Sequence, residues 1–291
     1  MDQERLDGAE APSGAMTLQA AAEALEVHYM TAYRYVRLGL LPAEKVAGAW
    51  EVPTVEVDRL LAERLSGQGG RSAGGRVHPA PWADRLEARL RAGDEGGSWG
   101  VVEGALSSGM DPTEIYLDLL VPSLRGIGNA WAAGEIDIGV EHRASVIVMR
   151  LIGRLGPRFN RRGQTRGSVV LGAPAGDNHG LPTALLADLI RGTGFTVADL
   201  GADTPADSFV SAARGAERLV AVAVGVTSTG NEGSVRALTG ALHRALPDIP
   251  VLVGGSAVPD AQHASDLGAD GWAPDGPAAL VLLADVVARG G

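Results

Sequence analysis

The sequence predicts a multidomain chain: an all-α winged helix-turn-helix, then a four-helix bundle, then an α/β doubly wound parallel sheet. Three observations carry this. Two glycine- and proline-rich stretches, SGQGGRSAGGRVHPAP (66–81) and GPRFNRRGQTRG (156–167), divide the chain of 291 residues. Between them apolar residues recur at three-to-four spacing, the period of an amphipathic helix. After them, short apolar runs alternate with amphipathic segments, the pattern of strands and helices in an α/β unit. The implied organisation is a disordered tail (1–15), a head (16–65), a flexible linker (66–80), a helical bundle (81–160) and a sheet domain (166–291).

The head opens with a short helix from Leu18 to Leu25, a turn at Glu26–Val27 and a second helix from Tyr29 to Leu38. Gly39 ends that helix and Pro42 blocks its resumption, because proline has no N–H to continue the ladder. A hairpin-like LPAEKVAGAWEVP (41–53) follows, then a closing helix from Thr54. This order is a helix-turn-helix with a wing. Four helical segments, WADRLEARLRAG, SWGVVEGALSSG, PTEIYLDLLVPSLRGIGNAWAAG and VEHRASVIVMRLIGRLG, then make the bundle.

In the last block the strand candidates are SVVLGA (168–173), FTVADLG (195–201), LVAVAVG (219–225), PVLVGG (250–255) and GADGWA (268–273). Helices fit near 180–192, 205–215, 231–246 and 259–267. Continuous apolar strands imply a parallel sheet covered on both faces, here of the flavodoxin-like order. Such sheets bind ligands at the loops beyond the carboxyl ends of their strands. Those loops hold Asp177 and His179, then TSTGNEG (227–233), then GGSAV (254–258).

Composition narrows the chemistry. The chain has no cysteine, so thiolate metal sites, disulfides and cysteine nucleophiles are excluded. Its formal net charge of −10 argues against broad electrostatic attraction to nucleic acid. No apolar run reaches the roughly 18–20 residues of a membrane span, and the N-terminus carries no basic-then-apolar leader. The expectation is a cytoplasmic protein without membrane partners.

The stretch AAEALEVHYMTAYRYVRLGLLP (21–42) resembles the small winged helix-turn-helix of the MerR and excisionase families. The bundle and sheet resemble the cobalamin-binding module, a helical cap followed by a Rossmann-like domain. That family's loop reads Asp/Glu-x-His-x-x-Gly, and here the loop is Asp177-Asn178-His179-Gly180-Leu181-Pro182. In the cap, Trp131 precedes Glu141-His142 by ten residues, within NAWAAGEIDIGVEHRAS. With the three-part order, this spacing resembles the light-sensing CarH and LitR-type transcriptional regulators. Two positions depart from the pattern: Pro182 stands where the loop motif has glycine, and Ala132 stands where the best-known light sensors have histidine.

The resemblance implies adenosylcobalamin as cofactor, with His179 as the lower axial ligand of cobalt. Asp177 would accept a hydrogen bond from the second ring nitrogen and raise the ligand's basicity. Gly180, beside the histidine, would belong to the cofactor-binding loop, and Ser228 and Thr229 would hydrogen-bond the displaced nucleotide tail. Gly254 and Gly255 would leave room for its passage. Trp131, Glu141 and His142 would cover the adenosyl group. In the head, Tyr29, Thr31, Arg34 and Arg37 would face the groove of a double-stranded DNA operator, with Lys45 in the wing near phosphate. Residues 16–65 carry five basic and seven acidic side chains, formally −2. One head should therefore bind DNA weakly, and a homo-oligomer (dimer or tetramer) would be required. The expectation is a non-enzymatic, light-responsive regulator in which adenosylcobalamin controls oligomerisation and operator binding. Two alternatives share the module: a corrinoid-carrying methyl-transfer protein, and a regulator sensing another tetrapyrrole.

Overall fold

The computed structural model describes residues 14–25, 32, 35–36, 41–46, 49–66, 82–161 and 163–290. The chain divides into two units, Met1–Val77 and His78–Gly291.

In the first unit, β1 (Ala15–Thr17), α1 (Leu18–Ala24), β2 (Glu44–Val46), β3 (Ala49–Pro53) and α2 (Thr54–Ser66) follow in order. The head is thus not all-α: β3 pairs antiparallel with both β1 and β2. The hairpin expected at 41–53 is β2 and β3, whereas β1 was unforeseen, because three residues are too few to show a period. Thr17 caps α1, its hydroxyl accepting the N–H of Ala20 at 3.2 Å, which satisfies one otherwise orphaned donor. Leu18, Ala21, Leu25, Leu41, Val52 and Val57 are buried together. Tyr29, Thr31, Arg34 and Arg37, expected to meet DNA, lie outside the described residues. Lys45 lies in β2, and its side chain is likewise outside them.

The second unit begins with the helical bundle. It comprises α3 (Trp82–Ala92), α4 (Glu95–Ser107), a third helix and α7 (Ile138–Leu155). The third helix starts as α5 (Pro112–Glu114), passes through a π-helical stretch (Ile115–Leu120) and continues as α6 (Val121–Ala132). Each start has a chemical cause. Asp94 caps α4, Asp111 and Glu114 form a capping box, and Asp137 caps α7. Leu86, Leu90, Val102, Tyr116, Leu119, Val148 and Leu151 fill the bundle core. Each such burial is worth about 1.5–3 kcal/mol.

The sheet has β4 (Ser168–Gly172), β5 (Thr196–Asp199), β6 (Leu219–Gly225), β7 (Val251–Gly254) and β8 (Gly271–Ala273), all parallel, in the order β5-β4-β6-β7-β8. Between and after them run α8 (Gly180–Gly192), α9 (Ala206–Gly215), α10 (Glu232–Ala245), α11 (Ala261–Asp266) and α12 (Gly276–Gly290). Every residue of β4 is buried. Val169 and Leu171 enter the core on one face, while Val170 enters the core on the other. A strand covered on both sides has no polar face to show, hence the unbroken apolar run. Leu185 and Leu189 of α8 join the bundle core, so the bundle rests on the helix that follows β4. Because β4 lies between β5 and β6, the connections leave it in opposite directions. The crevice at that reversal is the place where such folds bind ligands. Among the described residues no helix is long and apolar enough to cross a membrane.

Candidate functional site

The loop leaving β4 delivers two side chains to this crevice. Asp177 is 0% exposed, and a buried carboxylate must be compensated by donors. Its Oδ2 accepts the backbone N–H groups of Thr227 at 2.5 Å and Ser228 at 2.9 Å. Its Oδ1 accepts the Ser228 hydroxyl at 3.1 Å, the His179 N–H at 3.2 Å and the His179 ring at Nδ1, 2.8 Å away. Burial by itself would raise this acid. The N–H groups of Ser228 and Thr227, with His179, outweigh it and hold the carboxyl below its ordinary value.

An ionised carboxylate can only accept, so the Nδ1 facing it carries a proton, and Nε2 is the ring nitrogen left for a ligand. His179 sits at the N-cap of α8, and its side chain makes no capping bond there. The ring is 56% exposed. Ser228 Oγ also lies 3.1 Å from Nδ1, so one hydroxyl touches both members of the pair. Gly180 opens α8 behind the histidine, where a Cβ would meet only Ala202 at 3.7 Å.

The arrangement presents one half-exposed imidazole whose Nδ1 is engaged by Asp177 and whose Nε2 is left free to ligate. Among the described residues no group of three or more His, Cys, Asp or Glu side chains could hold a metal ion. A single ligand of this kind suits a metal that arrives with its equatorial ligands already in place. A corrin meets that condition, and a bare cation does not.

The other expected residues are distributed unequally. Ser228 is bonded to both Asp177 and His179, so the serine expected to hold a nucleotide tail also fixes the ligand loop. Thr229 is exposed beside it. The two glycines after β7 have steric reasons of their own. A Cβ at Gly254 would lie 2.3 Å from the Ala273 carbonyl oxygen, and one at Gly255, where φ is +114°, would lie 2.3 Å from that of Val226. Both absences are used by neighbouring backbone, so the pair forms a closely packed floor to the crevice.

In the bundle, Trp131 is in the last turn of α6 and is 49% exposed. Glu141 and His142 lie in the first turn of α7 and just beyond it. Glu141 accepts the Ser145 hydroxyl at 2.8 Å and lies 3.6 Å from His142 Nε2. Ile138, Val146 and Met149 are also exposed. With His142 they fall on one side of α7, at helical spacing.

Sequence reasoning missed two contributors. One is Asp203, whose carboxylate accepts the Gly176 N–H. The other is the buried pair Tyr116 and Asp188, which joins bundle to sheet. Neither has a local signature, since each acts on a residue remote in sequence.

Residues 167–283 match the B12 binding domain family, and residues 82–155 match a second B12 binding domain family. The chain therefore contains a helical cap and a Rossmann-like sheet that are B12-binding domains, and these matches support a corrinoid cofactor. A corrinoid protein from Desulfitobacterium hafniense is 27% identical over 214 residues, covering 71% of this chain and 97% of that protein. A trimethylamine corrinoid protein from Methanosarcina barkeri is 29% identical over 113 residues, covering 38% of this chain and 52% of the relative. The solved structure of the Methanosarcina barkeri monomethylamine corrinoid protein shares the fold, with a TM-score of 0.63 at 19% identity. It covers 70% of this chain and 98% of that one.

These relatives correct three expectations. The chain is not placed among CarH and LitR-type regulators, a DNA-binding, light-responsive function is not supported, and a DNA operator is not its indicated partner. The similar proteins are corrinoid proteins, and both domain matches fall within residues 82–283. The physical reason is that the cap, the sheet and the Asp-x-His loop serve any protein that holds a corrinoid. They do not report what the cofactor is used for. Helix spacing in the head and the Trp131 to Glu141-His142 interval were the discriminating features, and both are short. Ala132 is where the resemblance to the light sensors lapses.

Proposed function

We propose that this chain is a corrinoid-carrying protein of a methyl-transfer system. The observation that supports this best is the Asp177–His179–Ser228 cluster, in which one exposed imidazole nitrogen is held ready by a buried carboxylate. The class of the partner comes from the relatives, which include trimethylamine corrinoid proteins and a methanol–corrinoid protein. A bound corrinoid supplies a cobalt centre that receives a methyl group from one partner and yields it to another. The residues of this chain do the holding. His179 would offer Nε2 to the lower face. Asp177 keeps the proton on Nδ1 and increases the basicity of the ligand, the usual effect of a carboxylate behind a metal-bound histidine. Ser228 keeps the pair in register. In this reading the chain carries the group, and catalysis belongs to a methyltransferase acting on a small methylated amine or alcohol.

The form of the corrinoid is a finer reading. The half-exposed Trp131 near Glu141 and His142 in sequence would suit an adenosyl group, because an indole can cover a flat adenine and Glu141 can accept from ribose hydroxyls. Such a group would take the cobalt position that a methyl group needs, so adenosyl loading competes with the methyl-carrier reading. Titration with adenosylcobalamin and hydroxocobalamin side by side tests it.

The main test uses the full chain loaded with hydroxocobalamin and reduced. It is incubated with trimethylamine or methanol bearing a labelled methyl group, together with the matching methyltransferase. Label on the protein-bound corrinoid, lost in His179→Ala, is the expected result. Stable corrinoid uptake without label from any donor would overturn the methyl-carrier reading and leave the cofactor reading intact.

A further inference from the structure

The loop that bears Asp177 and His179 is zipped to the loop after β5. Ala173 donates its N–H to the Gly201 carbonyl at 2.8 Å, and Thr204 donates to the Ala173 carbonyl at 3.0 Å. At the end of this ladder Asp203 makes two bonds at once. Its N–H donates to the Asp177 carbonyl at 2.8 Å, and its Oδ1 accepts the Gly176 N–H at 2.7 Å. The residue reaches both partners because its backbone is left-handed, with φ at +49°. A non-glycine residue adopts that conformation at a cost, and aspartate is among those that tolerate it best. Thr204 beside it is buried, with its hydroxyl donating to the carbonyls of Leu200 and Ala202, so the turn has little freedom to relax. Gly176, the residue held, has φ at +88°, and a Cβ there would lie 2.8 Å from Asn231 Oδ1. The loop is therefore clasped by Asp203 on one side and walled by Asn231 on the other.

We propose that Asp203 is a positioning residue for His179: its left-handed backbone and carboxylate clasp Gly176 and Asp177, fixing the loop that holds the imidazole with Nδ1 protonated and Nε2 outward. The assignment rests on His179 being the lower ligand. It adds a residue from a different strand connection, hydrogen-bonded to the chain two and three residues before the metal-binding histidine. Asp203 touches neither the ring nor the ligand position, and it acts through the backbone of residues 176 and 177.

Three substitutions in the full chain separate the acceptor from the backbone conformation. Asp203→Asn keeps an Oδ1 acceptor and tolerates the left-handed region. Asp203→Gly keeps the conformation without the acceptor, and Asp203→Ala loses both. The first readout is the His179 tautomer in the cofactor-free protein, from two-bond proton–nitrogen NMR at fixed pH. The second is affinity for hydroxocobalamin and the histidine-ligated share of its absorption spectrum. Asparagine should match the wild type. Glycine and alanine should both shift the tautomer toward Nε2–H and weaken hydroxocobalamin binding about tenfold, the low end of the effect of outer-shell partners on metal sites. A glycine variant indistinguishable from wild type would overturn the acceptor role, and so would three silent variants. If alanine fails to fold, the asparagine–glycine pair still decides. Wild-type protein that takes up no hydroxocobalamin would sink the cofactor reading alone, because the tautomer comparison is made without cofactor.

Discussion

The Tyr116 hydroxyl donates to Asp188 Oδ2 at 2.7 Å, across 72 residues of sequence. Tyr116 is buried in the π-helical stretch of the cap, and Asp188 is buried on α8, the helix that His179 begins. Arg191 completes the contact by donating to Asp188 Oδ1 at 2.8 Å and to the Val197 carbonyl at 3.2 Å. A Cβ at Gly156, where α7 ends, would lie 3.1 Å from Asp188 Oδ2, so the chain passes close by as it leaves the cap. The helix that carries the proposed ligand at one end is thus fastened to the cap near its other end. A π stretch adds one residue to a helical turn, and here it turns Tyr116 into the bundle core.

Replacing Tyr116 with phenylalanine keeps the ring and removes the donor. The expected cost is about 1–3 kcal/mol, the penalty for a buried partner left short of a hydrogen bond. The variant should also behave differently in alkali. Burial first, then the hydrogen bond to Asp188, raise the Tyr116 phenol above its ordinary value of 10. The folded state therefore holds this proton more tightly than the unfolded state. Its contribution is whole below pH 10 and falls as pH rises above it. Melting temperatures of wild type and Tyr116→Phe should differ by a constant amount below pH 10 and converge progressively as pH rises above it, toward the raised folded-state value. A gap that stays constant throughout that rise would show that the phenol is not the titrating group.

At the ligand loop, Asp177→Asn replaces an acceptor-only carboxylate by an amide that need not fix the ring. Hydroxocobalamin affinity should fall by about 10–100-fold. His179→Ala should abolish the histidine-ligated spectrum altogether, whatever affinity remains. Retention of that spectrum in His179→Ala would take His179 off the cobalt and transfer the role to another nitrogen.

Much of this architecture was legible in the residues. The five strands were readable because β4, β6 and β7 are buried on both faces and so lack any polar punctuation within them. The position of Asp177 and His179 on the loop after β4 was readable, because the apolar run ends just before them and the helix begins just after. The C-terminal helix α12 was not foreseen, since GPAALVLLADVVARG is apolar on most sides and shows weak periodicity. The π stretch was invisible for a similar reason: IYLDLL reads as ordinary helix, and only the Val121 N–H bonding back five residues to the Tyr116 carbonyl reveals the extra residue. Ser228 was named, but its bonds to Asp177 and His179 were not, because a loop serine does not show in sequence which neighbour it will meet. The function was misjudged at a level that the site does not encode. A corrinoid ligand loop looks the same whether the cofactor is used to sense or to carry.

Gly255 provides a test of the crevice floor. Alanine there combines a left-handed backbone, which costs roughly 1–2 kcal/mol for a residue with a side chain, with a Cβ placed 2.3 Å from the Val226 carbonyl oxygen. Overpacking of this kind adds about 1–3 kcal/mol. The variant should therefore melt well below wild type and bind hydroxocobalamin less tightly, because Val226 leads directly into Thr227 and Ser228, which hold Asp177. An unshifted melting temperature would mean that the β7 loop can move aside, and that the glycine is not required by its neighbours.

Trp131 distinguishes a ligand-facing role from a structural one. A tryptophan 49% exposed has much of its apolar surface in water and contributes correspondingly less to the bundle core. Trp131→Ala should consequently change the melting temperature of the cofactor-free protein only slightly, by the small amount typical of surface substitutions. Its effect should emerge on binding. If the indole covers an adenosyl group, affinity for adenosylcobalamin should fall about tenfold, consistent with an aromatic contact worth 0.5–1.5 kcal/mol beyond the area it buries. Affinity for hydroxocobalamin, which has no such group, should change little. Parallel titrations of wild type and variant with the two cofactors give the ratio directly. Equal losses for both would place Trp131 over the corrin itself and remove the reason to favour an adenosyl substituent. No loss for either would remove Trp131 from the cofactor's surroundings.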